Sequence, residues 1–151
     1  MAKGEVNDIL SQLIVRDYRE GDYPAVMDLW EATGLGHAWR GDDAGVIARS
    51  IAMGGKLLVA ELPGGPLVGT SWMTFDGRRI HLHHVGVLPR YRRRGIGRLL
   101  SVESIRHARE KGIKVKLEVH RDNQAAIALY RSLGFDYLGD YDVYIIRSFK
   151  D

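Results

Sequence analysis

The chain contains no cysteine among its 151 residues. That absence excludes a disulfide scaffold, thiolate metal sites and a cysteine nucleophile together, and it fits a reducing compartment such as the cytoplasm. No apolar run approaches the roughly 20 residues that a membrane helix needs. Residues 1–13 carry charges where a signal peptide would be apolar, so they read as an extra N-terminal segment rather than a targeting sequence. Internal repeats, low-complexity tracts and linkers are absent too. Charge of one sign is in short supply: 22 basic against 19 acidic side chains leave a net +3, too little by itself to argue for a nucleic-acid partner. What is present is ordinary for a globular protein, 45% hydrophobic and 27% charged, which excludes a disordered chain. At this length one domain spanning residues 1–151 is expected, large enough to build a core without staples.

The first half predicts a short strand at Ile14–Tyr18 and a helix from Asp22. There Asp22 is the expected N-cap, Pro24 sits in the first turn, Val26, Leu29 and Trp30 share a face, and Gly34 is the stop. Asp42 or Asp43 would cap a second helix carrying Val46, Ile47 and Ile51, ended by Gly54-Gly55. Lys56–Leu62 and Leu67–Phe75 read as strands around a Pro63-Gly64-Gly65-Pro66 turn. Asp76-Gly77 is a hairpin signal leading into a strand at Ile80–Val87. Beyond Pro89 a helix from about Gly95 to Lys111 keeps apolar spacing through Ile96, Leu99, Leu100, Ile105 and Ala108, and Gly112 closes it. Lys114–His120 alternates as a strand buried on one face. Asp122 or Asn123 caps a short helix ending at Leu133-Gly134, and one or two strands are expected between Phe135 and Phe149. This order predicts an α/β (α+β) fold, a mixed, mostly antiparallel sheet with helices on both faces.

The densest signal lies where the strand ending at Val87 hands over to a helix: arginines 90, 92, 93, 94 and 98 fall within nine residues. N–H groups at a helix start lack partners within the helix, and the dipole there is positive. Glycines at 95 and 97 let a ligand approach the backbone. Such a turn suits a phosphate or pyrophosphate, and a solvated basic loop is the plainer alternative. A dinucleotide GxGxxG fingerprint fails, because Leu100 takes the third glycine's place and seven residues separate Val87 from Gly95. A GxxxxGK[ST] loop is absent.

Arg92-x-x-Gly95-x-Gly97, following a strand and Val87-x-Pro89, resembles the pyrophosphate-binding motif of the GNAT superfamily of N-acetyltransferases. Downstream, Leu117-Glu118-Val119-(x)3-Asn123-x-Ala125-Ala126-Ile127-x-Leu129-Tyr130-x-x-x-Gly134-Phe135 is similar to that family's second half. The resemblance runs from about Ile14 to Ile146 and is specific from Lys56 onward. It is greatest to small bacterial members of the ribosomal-protein alanine acetyltransferase type. It implies a central sheet splayed between two strands and direct acetyl transfer from acetyl-CoA to a primary amine within a ternary complex. No metal is implied.

Carried over by position, the resemblance assigns the pyrophosphate to backbone N–H groups of Arg93, Arg94, Gly95, Ile96, Gly97 and Arg98. Arg90 or Arg92 would meet the 3′-phosphate. The backbone of Val85, Gly86 and Val87 would pair with the pantetheine arm and offer a donor to the thioester carbonyl, where negative charge grows during attack. Gly86 between two valines is the expected bulge. Asn123 would hydrogen-bond the pantetheine, and Tyr130, seven residues on and near the same helix face, would protonate the departing thiolate. The attacking amine has to be neutral, so its proton needs an acceptor. Glu118 matches a glutamate base used by part of the family, although its strand neighbours Lys116 and His120 equally suit a solvated ion-paired face. His81 and His83 share a strand face and resemble the paired histidines of arylalkylamine N-acetyltransferases, with partly buried structural histidines as the alternative. Two histidines without a third ligand argue against zinc.

The acceptor is expected to meet the segment Gly34–Asp43, where His37, Trp39, Asp42 and Asp43 stand out, and the final strands around Asp140, Tyr141 and Asp142. A protein N-terminus, a lysine and a small amine all remain open as acceptors, and a homodimer is open as the assembly. Two other classes compete: a CoA-binding sensor without turnover, and a nucleic-acid-binding domain using the arginines. Against the second, Tyr91 is the sole aromatic near the arginine cluster, which leaves little for base stacking.

Overall fold

The computed structural model describes residues 9–36 and 41–149, in two compact units that meet between Glu118 and Val119. His37 and Trp39 lie outside the described residues, as do residues 1–8 of the N-terminal segment.

In the first unit, five strands form one sheet in sequential order: β1 (Ile14–Asp17), β2 (Lys56–Glu61), β3 (Leu67–Phe75), β4 (Ile80–Val87) and β5 (Val115–Leu117). The first four run antiparallel, and β5 pairs parallel with β4. The hairpin between β3 and β4 closes because the Asp76 carboxylate accepts from the amides of Arg78 and Arg79, both at 2.7 Å. Three helices pack on this sheet: α1 (Tyr23–Ala32), α2 (Ala44–Ala52) and α3 (Ile96–Lys111).

Alternation along β3 assigns the helices to faces. Thr70 and Trp72 point to α1 and α2, where the Trp30 indole donates to Thr70 Oγ1 (2.9 Å) and the Trp72 indole donates to Ser50 Oγ (2.9 Å). Ser71 points the other way and bonds Ser104 of α3 at 2.7 Å. Helices thus cover both faces, as the sequence predicts. The core on the α1 side joins Val26, Leu29, Trp30, Ile47, Val59 and Trp72. Thr70 is fully buried and does two jobs, since its hydroxyl also donates to the His84 carbonyl at 2.9 Å. Thr70→Val keeps the shape but orphans a buried indole N–H and a carbonyl. It is expected to destabilise by about 2–3 kcal/mol, read as a lower urea midpoint; an unchanged midpoint would contradict the link.

Four local expectations are corrected. Asp22 holds the N-cap position of α1 as expected, but its side chain does not cap the helix: the carboxylate is held by the Arg16 guanidinium at 2.8 and 2.9 Å and by the Arg19 amide, which lowers its pKa. The bulge lies at His84–Val85, which together oppose Ser71, and not at Gly86, which pairs with Thr70 in register. β5 ends at Leu117, so Glu118 and His120 lie beyond the strand. The final strands are also missing: no ladder takes up residues 135–149, and Tyr144 and Phe149 stand 91% and 90% exposed. Four successive apolar residues, Val143–Ile146, break the period of two that would give this segment one face to bury.

The second unit holds α4 (Gln124–Ser132). Asn123 precedes it as the cap, its Oδ1 accepting from the Ala126 amide at 3.2 Å. As the cap, Asn123 stands one residue ahead of the helix that carries Tyr130, and its amide NH2 is the group left to donate.

Candidate active site

At the end of β4 the chain makes a 3-10 turn at Pro89–Tyr91 and enters α3. Arg93 and Gly95 both have positive φ, +62° and +86°. Alternating handedness of this kind turns successive N–H groups toward one side, forming a concavity for anions. Gly95 is the N-cap of α3, has no side chain to cap with, and is followed by no acidic residue in the first turn. Neither Gly95 nor an acidic residue of the first turn therefore caps α3, and the dipole adds positive potential there. Arg92 folds back, its Nε donating to the Val87 carbonyl at 3.1 Å, and so ties the turn to the strand. Arg90 and Arg94 lie 5.1 and 6.0 Å from the Tyr91 ring centroid. A Cβ added at Gly97 would meet only Val87, at an ordinary 3.7 Å, whereas one at Gly95 would stand 3.3 Å from Leu10 in addition to the strained φ. A glycine-capped helix start, a tight backbone and surrounding arginines fit a pyrophosphate.

The strand leading to this turn is open along one edge. β5 pairs only with Ile80, His81 and Leu82, so among the described residues its ladder with β4 stops before the stretch Val85–Val87. This is the opening expected for a pantetheine arm beside Val85, Gly86 and Val87.

The expected histidine pair is present on the α1 face. The His81 and His83 rings stack at 4.3 Å with 9° between planes. Stacked rings direct their nitrogens sideways, so no hydrogen bond joins them and a proton could pass between them only through water. His83 Nε2 lies 2.9 Å from Thr74 Oγ1. Burial, then His81 and His84, depress its pKa to about 4. Burial also lowers His81, although Glu118 Oε1, 3.8 Å from its Nε2, acts against that. A ring with a pKa of about 4 is neutral at pH 7 and a weak base for an alkylamine, whose own pKa is about 10. Glu118 is more than half exposed.

The same shift bears on stability. The folded pKa of His83, about 4, lies below the ordinary 6.5, so between these values the unfolded chain binds more protons and stability falls as pH drops. One ring contributes at most roughly 1.4 kcal/mol per pH unit, less here because solvent reaches it. His83→Gln is expected to shrink the loss of urea midpoint between about pH 7 and pH 5. A loss equal to the parent's would contradict it.

In the second unit, Tyr130 packs edge-on to Phe135 (centroids 5.6 Å), and burial raises its pKa above 10. Its phenol holds a proton at neutral pH. Asp140, Tyr141 and Asp142 follow in the segment without a ladder. In the first unit, Asp42 and Asp43 border a cleft of about 440 Å³ with Tyr23, Met27, Trp30 and Glu31. Asp43 caps α2, accepting from the Val46 amide at 2.9 Å. Asp42 instead reaches His84, a histidine that sequence reasoning passed over: strict alternation points it away from His83, and only the bulge turns it to the same face.

An opened mixed sheet with a bare helix mouth at the end of its fourth strand defines the GNAT-type fold, a class of acetyl-CoA-dependent acetyltransferases. The acetyltransferase (GNAT) family pattern matches residues 9–135, and the chain belongs to that family. It is 43% identical over 95 residues to the N-alpha-acetyltransferase RimI of Mycobacterium tuberculosis, a match spanning 60% of this chain and 59% of that protein. The ribosomal-protein-S18-alanine N-acetyltransferase from Escherichia coli superposes with a TM-score of 0.71 at 24% identity, covering 82% of this chain and 77% of that one. The PaiA N-acetyltransferase from Thermoplasma acidophilum, solved in complex with coenzyme A, gives 0.71 at 21% identity, covering 82% and 89%. Among the described residues no helix is long and apolar enough to cross a membrane, and no cluster of three or more candidate ligands could hold a metal.

Proposed function

We propose that this protein is an N-alpha-acetyltransferase that moves the acetyl group of acetyl-CoA to the α-amine of a protein N-terminus. The observation that carries this reading is the Arg93–Gly95 turn opening α3 at the end of a strand that β5 accompanies only as far as Leu82. The amides from Arg93 to Arg98 would hold the pyrophosphate, with the arginines offsetting its charge. The open edge at Val85–Val87 would align the pantetheine by strand-like pairing. Asn123 would donate to the same arm. When bound, acetyl-CoA supplies an activated acyl group as a thioester.

The chain's own groups then handle charge and protons. A backbone donor of β4 would stabilise the oxygen that gains negative charge as the amine attacks. Tyr130 would give its proton to the departing sulfur. The depressed pKa of His83 favours a role in shaping the β4 surface over that of principal base. Identity to an N-alpha-acetyltransferase supports a protein N-terminus over a small amine. The test incubates the protein and acetyl-CoA with a hexapeptide starting in alanine and with an N-acetylated peptide containing one lysine, following thiol release and product mass. Acetylation confined to the alanine peptide supports the reading; acetylation of the lysine alone would overturn it.

A further inference from the structure

His84 occupies the most strained backbone position on the α1 face of the sheet. Its φ of +47° is rare for a residue with a Cβ, and such strain persists only where the surroundings hold it. The surroundings do hold it. Thr70 bonds its carbonyl, and its ring stands edge-on to Trp30 (4.5 Å) and Trp72 (5.4 Å). Its Nε2 lies 3.1 Å from Asp42 Oδ2, with 11% of the histidine side chain and 23% of the aspartate's exposed. Asp42 also lines the cleft beside α1, and His84 adjoins the open edge of β4.

We propose that Asp42, positioned by His84, receives the ammonium of the acceptor in this cleft, and that the Asp42–His84 pair takes the proton that must leave before attack. The proposal rests on the acceptor reading above. An ammonium entering the cleft gives one proton to the pair, whose net charge falls from one negative to none. The freed lone pair forms the N–C bond as the C–S bond breaks, and the thiolate leaves with the electron pair. The second proton that nitrogen sheds in becoming an amide matches the one that sulfur takes up, and the pair returns its own proton to water. Among the described residues, the other titratable groups facing the pair are His83 on β4, Tyr23 and Glu31 on α1 and Asp43 at the head of α2. Asp43 is engaged as a cap.

The test compares the parent with Asp42→Asn and His84→Asn, the latter because asparagine tolerates positive φ. For the alanine hexapeptide, kcat/KM is expected to fall about 100-fold in each. Asp42→Asn should raise the peptide KM, His84→Asn should act on kcat, and both should flatten the rise of kcat/KM with pH expected of the parent. Asp42→Glu should recover part of the loss. Affinity for acetyl-CoA should stay within about twofold, since neither residue touches the α3 mouth. Variants that keep the parent's pH rise overturn the proposal, however far their melting temperatures fall. If the parent binds acetyl-CoA but modifies only the lysine peptide, the N-terminal acceptor is refuted, and the same comparison on that lysine still decides the pair.

Discussion

Gly95→Glu is expected to weaken acetyl-CoA binding at least 100-fold, about 2.7 kcal/mol. Two costs combine. The glycine holds φ at +86°, a conformation that costs a residue with a Cβ roughly 1–2 kcal/mol. The new carboxylate would also sit at the positive end of α3, where it would compete for the helix start and repel a phosphate. Gly95→Ala separates these contributions: it should lower the melting temperature through strain yet retain most of the affinity that the charged variant loses. Gly97→Ala, whose Cβ would meet only Val87 at 3.7 Å, should leave affinity close to the parent's. Calorimetric titration with acetyl-CoA checks all three, and equal affinity in Gly95→Glu and the parent would remove the turn from the binding site.

Tyr130→Phe should act on the other side of the reaction. The ring contact with Phe135 survives the substitution, so the fold is spared, while the proton held by a phenol of raised pKa is lost. General acid catalysis is worth about 100-fold or more. The expected result is therefore a kcat lower by that order with acetyl-CoA affinity changed less than about threefold. Turnover equal to the parent's would remove Tyr130 from the mechanism.

Much of the architecture was legible because local chemistry and long-range packing agree. β3 and β4 begin and end where turn residues and alternation put them, at Leu67–Phe75 and Ile80–Val87. The positive φ of Gly95 and Gly112 follows from their places at the ends of α3. What escaped sequence reasoning depends on register. A bulge shifts facing by one residue, and neither Gly86 nor its neighbours signals that the extra residue belongs to His84–Val85. The Asp42–His84 contact joins positions 42 residues apart, beyond any helical or strand period. Asp22 stands at the N-cap as its type suggests, but its carboxylate is drawn off by a stronger partner, Arg16, from a different element. The segment after Gly134 has strand-forming residues, but a strand exists only where a neighbour accepts its hydrogen bonds.

The central claim is that the mouth of α3 and the open edge of β4 form one coenzyme site. The most direct measurement follows backbone amide resonances while acetyl-CoA is titrated into isotopically labelled protein. The amides of Arg93–Arg98 and Val85–Val87 are expected to shift together along one saturating curve. Saturable binding that leaves both groups of amides unmoved would contradict it.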